Sequence, residues 1–336
     1  MFRRILVALD GSERAERALP VAARLARFSG GSVTLLRVVA SPTELVRQST
    51  DPSLQTGLDV DTARAADYLA RLATSDVLSG VVTTTEVFKG IPALAIIAAA
   101  RSSQADMVII CSHGYTGATR WALGSVAEKV AFHAPIPVLV LRDGRTALLD
   151  PQPDVSHPIH TLVALDGSVR AEEAIEPAAY LTAALAAPAQ GDLHLFRVVQ
   201  QDTTNNHVGE FLESRTMLQV ARSYLSSTVD RLSEGQLAPD ITNRLPVTWS
   251  VASDADVSWA IVRAAEHGEG GESGLSGGCD IVAIATHGFS GLPRWTMGSI
   301  TGRVLKASRL PLLIVRPLDI MERSNFTWDD TTLFTI

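Results

Sequence analysis

Two stretches carry the residue types that cradle phosphate. "CSHGYTGATRWALGS" (111–125) follows the apolar run "ADMVII", and "ATHGFSGLPRWTMGS" (285–299) follows "CDIVAI". Gly114 and Gly288 permit a tight turn and close backbone approach to a ligand. Gly124-Ser125 and Gly298-Ser299 stand where helices should begin, so free N–H groups and a hydroxyl face an anion without any Walker lysine. Asp10 and Asp166, each in a copy of "VALDGS", end apolar runs. Their carboxylates can accept hydrogen bonds from a ribose or an adenine amino group, or can cap the next helix.

Catalysis is harder to build from these residues. His113 and His287 invite a general-base role, but no nucleophile or orienting group accompanies them. They read as neutral loop histidines touching phosphate or backbone. Only His113 stands near enough in sequence to activate the thiol of Cys111 as a redox group. Arg120 and Arg294 suit either a phosphate or a solvated face. Trp121 and Trp295 suit packing or a partner.

The elements that must position these groups occur twice. "ILVALDGSERAERALPVAARLA" from Ile5 returns as "TLVALDGSVRAEEAIEPAAYLT" from Thr161, and "VTLLRVVA" from Val33 as "LHLFRVVQ" from Leu193. The glycine stretches and the closing runs "PIPVLVLR" and "RLPLLIVRP" repeat in the same order. The chain is therefore two copies of a unit long enough to own a core. The expected organisation is a domain over 1–145, a polar linker over 146–158, a second domain over 159–318 and a tail over 319–336.

Within a unit the apolar runs are short, rich in Val and Ile, and uninterrupted, as in parallel strands buried on both faces. The first unit is read as strands at 4–9, 32–39, 81–88, 106–111 and 136–141. Helices are expected at 13–28, 59–76, 92–101 and 124–133. This alternation predicts an α/β fold of two Rossmann-like, doubly wound domains, each with five parallel strands. Pro20 should kink the first helix, and Ser12 suits its N-cap. The second unit adds the Gly-rich loop "HGEGGESGLSGG" (267–278). The tail's Phe326, Trp328, Leu333 and Phe334 suggest docking on the protein's own body or on a partner.

Bulk properties narrow the function. The 336 residues carry a net charge of −7, with 46% hydrophobic and 19% charged residues. No Lys/Arg cluster stands out to neutralise nucleic-acid phosphates. Two cysteines suggest neither a disulfide framework nor a zinc site. The first apolar run is too short for a signal peptide, and none is long enough to span a bilayer. A cytoplasmic protein that avoids nucleic acid and membrane is the expectation.

The paired motifs resemble the universal stress protein family, in a two-domain form. Its nucleotide-binding members carry G-x2-G-x9-G-[ST] after the fourth strand. Gly114 with Gly124-Ser125, and Gly288 with Gly298-Ser299, match the later part; Cys111 and Ala285 replace the first glycine. The resemblance covers nearly the whole chain and implies bound ATP, with or without Mg2+. It assigns Ala8, Asp10 and Val38 to adenine and ribose, Cys111, Ser112, His113 and Gly114 to ribose and phosphates, and Gly124, Ser125 and Val126 to the phosphate tail. The second set is Ala164, Asp166, Val198, Ala285, Thr286, His287, Gly288, Gly298, Ser299 and Ile300.

A first-glycine position needing positive φ would cost a side chain about 1–2 kcal/mol, whereas a strand position would cost almost nothing. "FKGIPALAII" matches the family's Gly-x-Pro-Ala stretch, but "ASDADVSWAIV" lacks both residues, so the second site is the less secure. The resemblance also implies that the last strands pair across a twofold axis, here within one chain, with homodimerisation and an unknown protein partner left open. Three functions stand: an ATP-occupied stress or signalling module, a nucleotide-free scaffold, and a slow ATP hydrolase.

Overall fold

The computed structural model describes residues 1–40, 52–112, 124–142, 158–201, 208–241, 244–268, 277–286 and 298–317. The first half runs β1 (Arg4–Leu9), α1 (Glu13–Glu16), α2 (Ala18–Ser29), β2 (Ser32–Ala40), α3 (Pro52–Ala73), β3 (Val82–Gly90), α4 (Pro92–Ser102), β4 (Met107–Cys111), α5 (Ser125–His133) and β5 (Val138–Leu141). The second half repeats it as β6 (His160–Ala164), α6 (Val169–Glu172), α7 (Ile175–Ala186), β7 (Asp192–Gln200), α8 (Val208–Ser233), β8 (Val247–Asp254), α9 (Val257–His267), β9 (Ile281–Ala285), α10 (Ser299–Ala307) and β10 (Leu312–Val315).

All ten described strands join one sheet in the order β3-β2-β1-β4-β5-β10-β9-β6-β7-β8. Within each half every pairing is parallel, and the two halves meet where β5 and β10 run antiparallel, Leu139 opposite Leu313. The expected doubly wound order is thus present twice. Alternate strand residues feed two cores. Ile5, Val7 and Leu9 face the layer of α1–α3 and α6–α8, while Leu6 and Ala8 face α4, α5, α9 and α10. Val33 and Leu35 of β2 point to the same side as Val7.

Two helices of the first half depart from the expectation, each for a local reason. The single kinked helix over 13–28 is two helices broken at Arg17. Pro20 has no N–H for the Glu16 carbonyl, and its ring crowds that oxygen. Pro177 acts alike, since α6 stops at Glu172 and α7 starts at Ile175. Helix α3 begins at Pro52 rather than near 59, a first-turn position where proline loses no hydrogen bond.

The junction between halves is more than a strand pair. The Tyr180 ring of α7 meets Phe2 and Phe28 edge-on, with centroids 5.5 and 5.4 Å away. On the other face Lys306 of α10 pairs with Glu128 of α5 at 3.0 Å. Arg142, 6% exposed just after β5, donates to the carbonyl of Leu305 in the last turn of α10. Burial holds its guanidinium pKa down to about 10, with Glu266 opposing that shift. The linker calls at 146–157, the tail residues 319–336 and most of the Gly-rich loop lie outside the described residues. No described helix is long and apolar enough to cross a membrane.

Candidate functional site

Strand order reverses between β1 and β4, so their diverging connections leave a crevice beyond the strand ends. One wall is the turn after β1. Gly11 adopts φ +90°, a conformation costly for any residue with a Cβ. Asp10 Oδ1 accepts hydrogen bonds from the Ser12 N–H at 3.0 Å and the Ser12 hydroxyl at 2.6 Å. Ser12 Oγ in turn accepts from Ala15 N–H at 3.2 Å, which caps α1 as its sequence position suggests. Asp10 therefore shapes the turn and also lines the crevice.

The opposite wall comes from β4 and α5. Cys111 is the last residue of β4, in register with Leu141. It is absent from the residues with positive φ, so the motif position tolerates a side chain. Its thiol donates to the Arg14 carbonyl at 3.1 Å, tying the strand end to α1. Ser112 donates its N–H to Leu141 O at 2.8 Å and accepts from Gly124 N–H at 2.7 Å. That last bond holds the end of β4 against the start of α5. Gly124 offers no capping side chain, so the N-terminal amides of α5 and its dipole remain directed at the crevice mouth.

The crevice encloses about 680 Å³, within the range of small-molecule sites. Ala8, Asp10, Val38, Cys111, Ser112, Gly124, Ser125 and Val126 all line it. His113 and Gly114 lie outside the described residues, as do Arg120 and Trp121. Sequence reasoning missed Arg37, Asp61, Arg64, Pro92 and Ile96, which also line the crevice. A signal for Arg37 existed, because "LLRVV" and "LFRVV" repeat the arginine at one position. Asp61 and Arg64 sit on α3, which periodicity alone does not bring to the mouth.

The second half keeps the same skeleton. Gly167 has φ +97°, Asp166 accepts from Ser168 N–H at 2.8 Å, and Ser168 caps α6 through Ala171 N–H at 3.1 Å. Ala164 ends β6, Val198 lies on β7, and Ala285 ends β9 opposite Val315. Thr286 accepts from Gly298 N–H at 2.9 Å, and Ser299 and Ile300 open α10. A Cβ at Gly298 would lie 3.0 Å from the Thr286 carbonyl oxygen, which explains this glycine by close approach. His287, Gly288, Arg294 and Trp295 lie outside the described residues.

The lining chemistry differs between halves. Phe196, 1% exposed, replaces Leu36 beside the first strand. Counting back from Tyr224 as from Tyr68, exposed Met217 and Val220 replace Asp61 and Arg64. Asp254 takes the register position of Gly90 and pairs with Arg263 at 3.1 Å. Asp256 caps α9 by accepting from Trp259 N–H at 3.0 Å and also pairs with Arg303 of α10. The Trp259 bond, then that from Ser258, holds the Asp256 carboxyl below its ordinary pKa. Losing Gly and Pro in this segment thus introduces fixed carboxylates between the end of β8 and the start of α9. Among the described residues no group of three or more His, Cys, Asp or Glu is placed to hold a metal ion.

A mostly parallel, doubly wound sheet with a crevice at its switch point defines a Rossmann-like α/β fold. Residues 1–142 match the family model for the universal stress protein family. A universal stress protein of Mycolicibacterium smegmatis is 25% identical over 318 residues, spanning 93% of this chain and 97% of the relative. One from Thermus aquaticus is 31% identical over 143 residues, 42% of this chain and all of the relative. A solved universal stress protein from Archaeoglobus fulgidus shares the fold with a TM-score of 0.59 at 19% identity, over 94% of this chain and 97% of that one. The chain belongs to the universal stress protein family.

Proposed function

We propose that the chain is an adenine-nucleotide-binding stress or signalling module that holds ATP in the first-half crevice. One observation carries this reading: all eight described candidate residues of the first half line a single crevice at the switch point. The base and ribose would lie against Ala8, Asp10 and Val38. The phosphates would meet the start of α5, whose amides supply donors and positive potential. Mg2+, if bound, would ride on the phosphates, since the described residues gather no carboxylate set for it. Occupancy rather than turnover is the signal, read in the cytoplasm by a protein partner or a second copy of the chain. The repeat in the sequence and the equivalent strand orders of the two halves support two domains, taken as 1–145 and 159–318.

The test is extraction of nucleotide from purified protein, followed by ATP titration calorimetry of wild type and Ser125→Glu. Ser125 is exposed at the first position of α5, where an acidic residue favours the helix while repelling phosphate. The variant should keep its thermal stability and lose at least about tenfold in ATP affinity. Wild-type protein that neither carries nor binds adenine nucleotide would leave the scaffold reading in its place.

A further inference from the structure

The turn that carries Asp10 is held from below by a cluster that occurs in both halves. The Arg37 guanidinium lies directly under Gly11, where an added Cβ would sit 3.0 Å from Cζ and Nη2 and 3.1 Å from Nη1. Its other face covers the Tyr68 ring, with Cζ 5.0 Å from the centroid. Tyr68, on α3, donates its hydroxyl to Glu16 Oε1 of α1 at 3.0 Å. Burial, then the Glu16 charge, pushes the phenol above its ordinary pKa, so it stays a donor at neutral pH. Glycine at position 11 is thus needed twice, for its φ and to admit the guanidinium. Among these residues only Arg37 touches the turn, the covering helix and the crevice together.

The second half rebuilds the device, with Arg231 added at the glutamate. A Cβ on Gly167 would meet Arg197 Nη1 at 2.8 Å, and Arg197 covers the Tyr224 ring at 5.2 Å. Glu172, the counterpart of Glu16, accepts two hydrogen bonds from Arg231 at 3.2 and 3.0 Å. Recurrence at one register position, with an additional partner for the glutamate, separates the Arg–Tyr–Gly stack from accidental packing. A planar guanidinium suits the slot because it stacks on the ring and lies flat beneath the turn, which an ammonium cannot do.

The geometry points to Arg37 as the positioning residue of the base-and-ribose end of the crevice, with Arg197 in the same part in the second half. The clamp presses the Asp10-Gly11-Ser12 turn and α1 onto the end of β4, where the Cys111 thiol donates to Arg14. Releasing it lets the turn lift, which moves Asp10 and uncovers Cys111 while leaving the start of α5 in place. The consequence for ligand affinity rests on the adenine-nucleotide reading; the consequence for Cys111 does not.

Cys111 alkylation by iodoacetamide, followed by site-resolved mass spectrometry, reports the turn directly. Cys279 serves as a silent reference, since it is buried and its thiol is pushed up to about 12, chiefly by burial. Arg37→Ala and Tyr68→Leu should each speed Cys111 alkylation by about tenfold, the scale of a local opening. Arg37→Lys should not restore the wild-type rate. Met107→Ala, a core change at the opposite end of β4, should lower thermal stability without that acceleration. Calorimetry should show Arg37→Ala weakening ATP about tenfold while binding inorganic triphosphate as wild type does. Unchanged Cys111 alkylation in Arg37→Ala, or equal acceleration in Met107→Ala, would overturn the clamp. Wild-type protein that binds no ATP would instead overturn the nucleotide reading, with the thiol rates still deciding the clamp.

Discussion

Lowering the pH should destabilise this protein through His194, whose ring is 1% exposed on β7. Its Nδ1 lies 2.8 Å from the Thr248 hydroxyl and its Nε2 2.7 Å from the Ser250 hydroxyl, both on neighbouring β8. A neutral imidazole satisfies this pair, one nitrogen donating and the other accepting, whereas an imidazolium has no counter-charge there. Burial accordingly lowers the pKa from 6.5 to about 4. Because the folded value is depressed, the contribution is whole above the unfolded pKa near 6.5 and is lost as pH falls toward 4. At about 1.4 kcal/mol per pH unit, the loss reaches about 3 kcal/mol, an upper figure for a burial-driven shift. The comparison variant is His194→Gln, which keeps a donor and an acceptor but does not titrate. Urea denaturation of both proteins from pH 7.5 to 4.5 gives their stability difference at each pH. That difference should be flat above pH 7 and should move against wild type by about 1.4 kcal/mol per unit below pH 6. Other titrating groups, including His133 with its burial-lowered pKa, cancel between the two proteins. A stability difference independent of pH would refute the argument.

Substitutions at two further positions examine the junction and the altered motif position. Arg142→Ala strips a buried donor from the last turn of α10 and should cost about 2–4 kcal/mol in chemical denaturation. Arg142→Met should cost less than half as much, because it removes the buried charge while filling its space; equal losses would argue against a desolvated cation. Cys111→Gly should change ATP affinity by less than about threefold and lower stability by about 1 kcal/mol, since the position is extended strand and gains nothing from glycine. A tenfold tightening by calorimetry would show that the side chain at 111 obstructs the ligand.

The joined sheet alters how the two halves relate. Helix α5 opens at the first cradle and carries Glu128 to the junction, where Lys306 of α10 meets it. Helix α10 opens at the second cradle and ends against Arg142 of the first half. Each cradle helix is therefore braced by the other half, which makes the tandem arrangement part of the site's support. A single unit on its own would leave β5 an apolar edge, with Val138, Leu139 and Val140 unpaired on that side.

How much of this was legible without coordinates differs by scale. The uninterrupted Val/Ile runs dictate strands buried on two faces, and the twofold recurrence of "VALDGS" and Gly-Ser dictates two equivalent units. Those features are local in sequence, and elementary sterics and periodicity suffice to read them. Of the candidate residues, Asp10, Gly124 and Ser125 were likewise readable from strand ends and helix starts, whereas Ala8, Val38, Cys111, Ser112 and Val126 came from the resemblance to the family. That they line one crevice was decided by strand order, which brings β1 beside β4 across a hundred intervening residues. Arg37 shows the limit most clearly. Its sequence neighbours make it an ordinary strand arginine, and only packing places its guanidinium between the Gly11 turn and the Tyr68 ring. The same holds for Phe196 and Asp254 in the second half, whose bulk and charge acquire meaning from the register that sets them opposite other strands. Sequence determines which residues can turn, cap and bury; the tertiary fold alone determines which of them meet, because contact between distant segments depends on sheet topology rather than on spacing along the chain.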